Sequence, residues 1–197
     1  MIYRCPRCGR AKERTIIDEW NAVPVPPAPE LKPVTVDPQT SALLILDMET
    51  TICNNVRCQA SIPPIQHLLT KSRAAGMPVI YSLTHMGSPS DIAWQLTPVP
   101  GEPIVKSNVD KFYNTTLEQL LYERGVNTVV VVGYAANGAV LHTAVSAAFR
   151  GFAVIVPVDG MSAVNPYAEQ YTAWHMLNSP GSRNRAMLTK VSLITFA

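Results

Sequence analysis

The sequence predicts an α/β fold: a three-layer αβα sandwich whose sheet is mostly parallel and has about six strands. Two observations carry that expectation. From Ser41 onward, short β-branched or aliphatic runs alternate with amphipathic stretches, the rhythm of strand–helix–strand units joined by right-handed crossovers. Gly76, Gly125 and Gly151 each fall just past an expected helix, where a left-handed cap is wanted.

Taken in order, Ala42–Asp47 reads as the first strand, an unbroken apolar run ending in a carboxylate. Pro63–Ala74 reads as a helix with Ile65, Leu68, Leu69 and Ser72 on one face. Pro78–Thr84 is a second strand and Pro103–Lys106 a short third. Thr116–Arg124 is a helix with Leu117, Leu120 and Leu121 turned inward. Strand Thr128–Val132, helix Val140–Phe149, strand Phe152–Val158, helix Tyr167–Leu177 and a closing strand Leu188–Phe196 complete the set. Runs of this length without alternation suit a parallel sheet covered on both faces.

Length and composition bound the function. A chain of 197 residues with 47% hydrophobic content supports one well-buried core and is short for two. The expected division is an N-terminal arm over residues 1–40 and a single domain over 41–197. The arm holds a Cys-x-x-Cys pair and six prolines between Pro24 and Pro38, so it is expected to run extended, as a linker or draped over a neighbour. The formal charge is only +2, with 16 basic and 14 acidic residues interspersed. No nucleic-acid or anionic-membrane partner is expected from that balance. No apolar run approaches the length of a bilayer span, and the first residues lack a signal core, so the expectation is a cytoplasmic protein.

In a reducing compartment the four cysteines are expected as thiols or metal ligands. Cys5 and Cys8 have the spacing of half a zinc knuckle, and Cys53 and Cys58 would supply the other half of a structural site that clasps the arm to the body. Free thiols are the alternative.

In an open parallel sheet, ligands bind beyond the carboxyl ends of the strands. There the sequence puts Asp47, Lys106 and the turn Gly133-Tyr-Ala-Ala-Asn-Gly-Ala139, which runs directly from a strand into a helix. Such a turn offers backbone N–H groups at a helix N-terminus, with Gly138 and Ala139 as the expected anion donors. Phe112, Tyr134, Asn137 and His85 fall on the same edge and are candidates for shaping a small-molecule site.

Three segments together resemble one family. Ala42-Leu-Leu-Ile-Leu-Asp47-Met, Lys106-Ser-Asn-Val-Asp-Lys-Phe112 with Thr115 and Leu117 beyond it, and Val132-Gly-Tyr-Ala-Ala-Asn-Gly-Ala139-Val-Leu-His-Thr143 follow in order, and Gly151–Gly160 resembles the strand after them. The resemblance is to the isochorismatase-like hydrolases, also called the cysteine hydrolase superfamily, and covers Ser41 to the C-terminus. It implies a Rossmann-like, isochorismatase-like fold, a catalytic role for Asp47 and an electrostatic one for Lys106. It further implies a non-proline cis peptide in the turn, no cofactor for catalysis and a homodimer or homotetramer. No nicotinamidase-type Asp-x-His metal pattern is present.

The family's amidases attack a carbonyl through a cysteine thiolate, and the position that resembles it here is Ala139. A methyl group forms no acyl intermediate. Three readings stay open: a hydrolase of the vinyl-ether-cleaving type with Asp47 as general acid and base, an inactive member that binds or regulates, and an engineered Cys→Ala variant of a C–N amidohydrolase. The first requires Asp47 to be protonated part of the time, with burial raising its pKa and the neighbouring lysine lowering it.

Overall fold

The structure is a computed structural model that describes residues 14–197 and, before them, the backbone of two short strands, β1 (Tyr3–Arg4) and β2 (Ala11–Lys12), paired antiparallel. Cys5 and Cys8 lie outside the described residues. After a single helical turn, α1 (Ile16–Glu19), and the short strand β3 (Val34–Val36), the body begins. Its elements are β4 (Ser41–Leu46), α2 (Val56–Ala74), β5 (Val79–Leu83), β6 (Ile104–Lys106), α3 (Leu117–Tyr122), β7 (Thr128–Tyr134), α4 (Leu141–Phe149), β8 (Ala153–Pro157), β9 (Met161–Ser162), α5 (Pro166–Asn178), β10 (Ala186–Thr189) and β11 (Ile194–Phe196).

The main sheet runs in the order β10-β8-β7-β4-β5-β6, every pair parallel, with β9 added beside the end of β7. This is the α/β architecture expected, with β4 and β7 at the centre. All six residues of β4 are buried, and its two faces feed different cores. Leu44 and Leu46 pack with α4 residues Ala144 and Ala147; Leu43 and Ile45 pack with α2 residues Ile65, Leu68 and Leu69. Full burial of each such side chain contributes about 1.5–3 kcal/mol, so the central strands carry a large share of the burial that holds the fold together.

Two elements differ from the sequence expectation for definable reasons. Helix α2 starts two turns before Pro63, because Asn55 caps it by accepting the Cys58 N–H at 3.1 Å. Pro63 and Pro64 therefore sit inside the helix, where each forgoes an N–H donation, and are not its first residues. The closing segment is two strands, not one. A turn at Val191–Leu193, where the Asp159 carboxylate accepts the Val191 N–H at 2.9 Å, sends the chain out of the main sheet. The last strand, β11, then pairs in parallel with β3.

That pairing ties the end of the arm to its own domain. Lys32 N–H donates to the Leu188 carbonyl, and the Thr189 hydroxyl donates to the Lys32 carbonyl at 2.7 Å. Pro26, Pro27 and Pro29 line a groove together with Trp174 and Leu177 of α5. The arm is thus joined to its own body from Leu31 onward.

Candidate functional site

Strand β4 ends at Asp47, which takes a left-handed backbone conformation with φ of 49°. Aspartate tolerates that region better than most residues, and the bend turns its carboxylate toward β5. The residue is only 5% exposed. The Ser82 hydroxyl of β5 donates to one carboxylate oxygen at 2.7 Å, and the Lys111 ammonium meets the other at 2.7 Å.

Lys111 is fully buried, and its ammonium also donates to the carbonyls of Ser107 (3.0 Å) and Asn108 (2.5 Å). Those two carbonyls occupy the donors that the single carboxylate leaves over, which is what makes a dry ammonium tolerable. The loop after β6 carries it there. The Ser107 hydroxyl bonds the Asp110 and Tyr113 carbonyls, folding residues 107–113 into a knot beneath the strand ends.

The expected partner, Lys106, is not at this position. It is exposed, and its ammonium donates to the Gly87 carbonyl at 2.6 Å, bracing the loop after β5. Alternation along β6 accounts for the difference: Val105 faces the core, so Lys106 faces away, and the chain must turn before a lysine can point back beneath the sheet. The spacing Asp-Lys-Phe at 110–112 was the available signal. An aromatic that packs inward, preceded by a lysine, marks the residue on the buried side of the loop.

Two carboxyls share this edge. Burial is the largest influence on Asp47 and pushes its pKa up; Lys111 and Ser82 pull it down, and the nearby Glu49 adds an upward push. The net direction is upward, so desolvation outweighs the ion pair. Glu49 is itself buried and accepts the Thr84 amide at 2.5 Å and the Thr84 hydroxyl at 3.0 Å. Ser82, Lys111 and Glu49 all escaped the sequence reading. Serine in a strand and glutamate in a loop carry no spacing that marks them.

Beside β4, strand β7 delivers the turn. Gly133 has φ of 133°, and a methyl placed there would sit 2.1 Å from the Leu46 carbonyl oxygen, so only glycine lets β7 run this close to β4. The peptide Tyr134–Ala135 is cis and non-proline, as the resemblance implied. Residues Ala136–Val140 form a wide turn with Ala139 buried, leading into α4. Thr143 on α4 accepts the Lys111 N–H at 3.2 Å, locking the lysine's loop to the helix that follows Ala139.

The remaining candidates divide. The Gly138 N–H donates to the Ala135 carbonyl at 2.9 Å, so this amide, expected to be an anion donor, is engaged inside the turn. Phe112 is core: it is 4% exposed, it contacts the Phe152 ring and lies under the Arg150 guanidinium at 4.6 Å. Asn137 is exposed and lines a groove on the outer side of α4 with Asp110, His142 and His175. His85 is exposed on the loop after β5. Tyr134 stays at the turn, half-buried, its hydroxyl accepting from the Asn55 amide at 3.3 Å.

Cys53 and Cys58 are joined in a disulfide and buried. They are neither thiols nor zinc ligands, which removes half of the expected four-cysteine site. Their separation of five residues, across a loop that doubles back into a helix cap, suits a bridge better than a metal half-site. Among the described residues no group of three or more His, Cys, Asp or Glu side chains is disposed to hold a metal ion. No helix among them is long and apolar enough to cross a membrane.

Comparison with known proteins agrees with this geometry. The model of the isochorismatase domain matches residues 41–189. A secreted isochorismatase effector, Isc1, of Verticillium dahliae is 34% identical over 144 residues, 66% of this chain and 76% of that protein. N-carbamoylsarcosine amidase of an Arthrobacter species is 27% identical over 61% of this chain, and the match spans 56% of the amidase's own length. The fold is shared with a cysteine hydrolase from Pseudomonas syringae, at a TM-score of 0.70 and 21% identity, over 84% of this chain and 95% of that one. With the parallel sheet, the buried aspartate at the end of its first strand and the turn after β7 in place, the chain belongs to the isochorismatase family.

Proposed function

We propose that this chain is a hydrolase of a small vinyl ether, with Asp47 as the general acid and base, Lys111 as its cation and Ala139 where the family's amidases carry a thiol. The observation that carries the reading is the buried Asp47 carboxyl at the end of β4, held between the Lys111 ammonium and the Ser82 hydroxyl at 2.7 Å each, where burial outweighs the cation and pushes its pKa upward. A carboxyl displaced upward by burial keeps its proton to higher pH than a free one, which is the direction a proton donor needs.

The chemistry needs no nucleophilic side chain. Asp47 protonates the terminal carbon of the enol ether, leaving an oxocarbenium ion. Water adds to that cation and returns its proton to the Asp47 carboxylate. The resulting hemiketal collapses to a ketone and an alcohol, so the proton is restored and one water is consumed. Lys111 stabilises the carboxylate formed after the first transfer, and Ser82 holds the carboxyl in one rotamer. Ala139 leaves room and no competing thiol beside the cation.

Isochorismate is the natural probe, since cleavage of its enolpyruvyl ether gives pyruvate and a 2,3-dihydro-2,3-dihydroxybenzoate. The purified chain is expected to release pyruvate, and Asp47→Asn to lose at least about a thousandfold in kcat, the loss of a proton donor together with its charge. Equal rates for the two proteins across a set of vinyl ethers overturn the reading.

A further inference from the structure

The loop between β4 and α2 does more than connect them. The disulfide Cys53–Cys58 closes it, and both sulfurs are fully buried, although Asn54 and Val56 between them lie on the surface. Inside that small ring sits Asn55, whose side chain works in two directions. Its carbonyl oxygen accepts the Cys58 N–H and caps α2; its amide donates to the Tyr134 hydroxyl at the end of β7. The Gln59 side chain donates to the Cys53 carbonyl at 2.5 Å, and Cys53 N–H donates to the Glu49 carbonyl, so the ring is also anchored to the segment just after Asp47. One turn further along α2, Ser61 bonds Ser162 of β9, the short strand paired with Gly133 and Tyr134.

We propose that the Cys53–Cys58 disulfide is a redox-controlled latch: closed, it holds Asn55 against Tyr134 and fixes the turn that carries Ala139; opened, it releases that turn and lowers turnover. The agent is a dithiol reductant. One of its thiolates attacks a bridge sulfur, a mixed disulfide forms, and its second thiol resolves it. Two electrons and two protons pass to the protein, leaving Cys53 and Cys58 as thiols and the reductant as its own disulfide.

Access comes through the helix end. The first turn of α2 has no partner within the helix for its leading N–H groups, and such turns open far more readily than the strands beneath them. Opening there exposes the sulfurs without disturbing β4. Once the bridge is cut, nothing covalent keeps Asn55 in its cap position, and the Tyr134 hydroxyl loses its donor. Within Tyr134–Val140 the Gly138 and Val140 N–H groups bond the Ala135 carbonyl and Tyr134 pairs with Ser162, while the Asn55–Tyr134 bond is the side-chain tie described between this turn and the disulfide loop.

The test uses the full chain carrying Cys5→Ser and Cys8→Ser, so that one redox pair remains. Alkylation of free thiols followed by mass measurement reports the state of the bridge, and hydrogen–deuterium exchange reports the turn. Reduction with dithiothreitol is expected to speed amide exchange across residues 135–140 by at least about tenfold, while exchange in β4 and β7 holds. Tyr134→Phe, with the bridge intact, is expected to raise exchange in the same segment and to make it insensitive to dithiothreitol. Pyruvate release from isochorismate should fall at least about fivefold in the reduced protein, the part of the test that rests on the proposed function. Exchange within about twofold in the two redox states overturns the latch, as does free Cys53 and Cys58 in protein purified without reductant. A chain that responds in exchange yet turns over no vinyl ether refutes the proposed reaction and leaves the latch standing.

Discussion

At the carboxyl edge of the sheet, Asp47, Ser82 and Lys111 are almost dry and bound to one another, whereas the broad groove of about 580 Å³ beside α4 is lined by Asp110, His142, Tyr171 and His175 in contact with solvent. Both regions hold a carboxylate next to Lys111 in the fold or the sequence. Asp110, one residue before that lysine, accepts the Phe112 amide and the Ser146 hydroxyl, ordinary loop-fixing contacts. Asp47 faces a cation and a hydroxyl in a place water scarcely reaches. The comparison teaches that room and reactivity are separate properties. The wide groove has ionisable groups whose partners leave them close to solvent, while the narrow edge has a carboxyl that burial pushes above its usual range.

The largest expected effect breaks the dry edge. Lys111→Ala leaves the Asp47 carboxyl buried without its cation, and urea unfolding at pH 7 is expected to show a loss of about 3–5 kcal/mol. Lys111→Met restores most of the volume and separates the missing charge from the cavity. If both variants unfold within 1 kcal/mol of the parent, roughly the size of a surface ion pair, the edge is far wetter than its geometry indicates.

A smaller effect sharpens the same contrast through pH. Because the folded pKa of Asp47 is raised, its carboxyl favours the folded state below the unfolded value of about 3.9. That contribution fades as pH climbs through the folded value, since the unfolded chain then sheds its proton more readily. In the proposed role of general acid, it is also expected to make kcat/KM fall with rising pH across that folded value. Ser82→Ala removes a donor that favours the charged form, so the descending limb is expected to move to higher pH. The stability cost of the lost buried bond is about 1 kcal/mol. A limb that stays in place would assign the titration to another group.

How far the sequence reached follows the same division. The sheet, its parallel sense and the helix order were legible, because each rests on runs of many residues that agree with one another. Asp47 was legible for a related reason: a carboxylate after an unbroken apolar strand has few places to go. Lys111 was not, since between Lys106 and Phe112 the chain has no period, and which lysine turns inward is set by hydrogen bonds from Ser107, the inward-packing Phe112 beside Lys111 being the one local hint. The start of α2 was hidden by Pro63 and Pro64, whose usual preference for a first turn outweighed the weaker signal of Asn55 as a cap. The disulfide was hidden by an assumption about compartment, not by residue pattern.

The smallest prediction tests the reassignment itself. Lys106 reaches only the Gly87 carbonyl and is otherwise in solvent, so its contribution is one charge-assisted bond on a surface loop. Lys106→Ala is expected to cost at most about 1 kcal/mol in unfolding and to leave kcat for the vinyl-ether probe within about twofold. Gly87 lies against the buried Glu49 carboxylate, with the position of a methyl group there 2.3 Å from its oxygen, so loosening this loop reaches the acid only at second hand. Were Lys106→Ala to abolish turnover while Lys111→Met retained it, the cation that serves Asp47 during reaction would be the exposed lysine, swung inward on substrate binding. The resting geometry argues against that swing: Lys111 already fills the one open oxygen of the carboxylate, and a second ammonium would have to displace it from a site where all three of its donors are engaged.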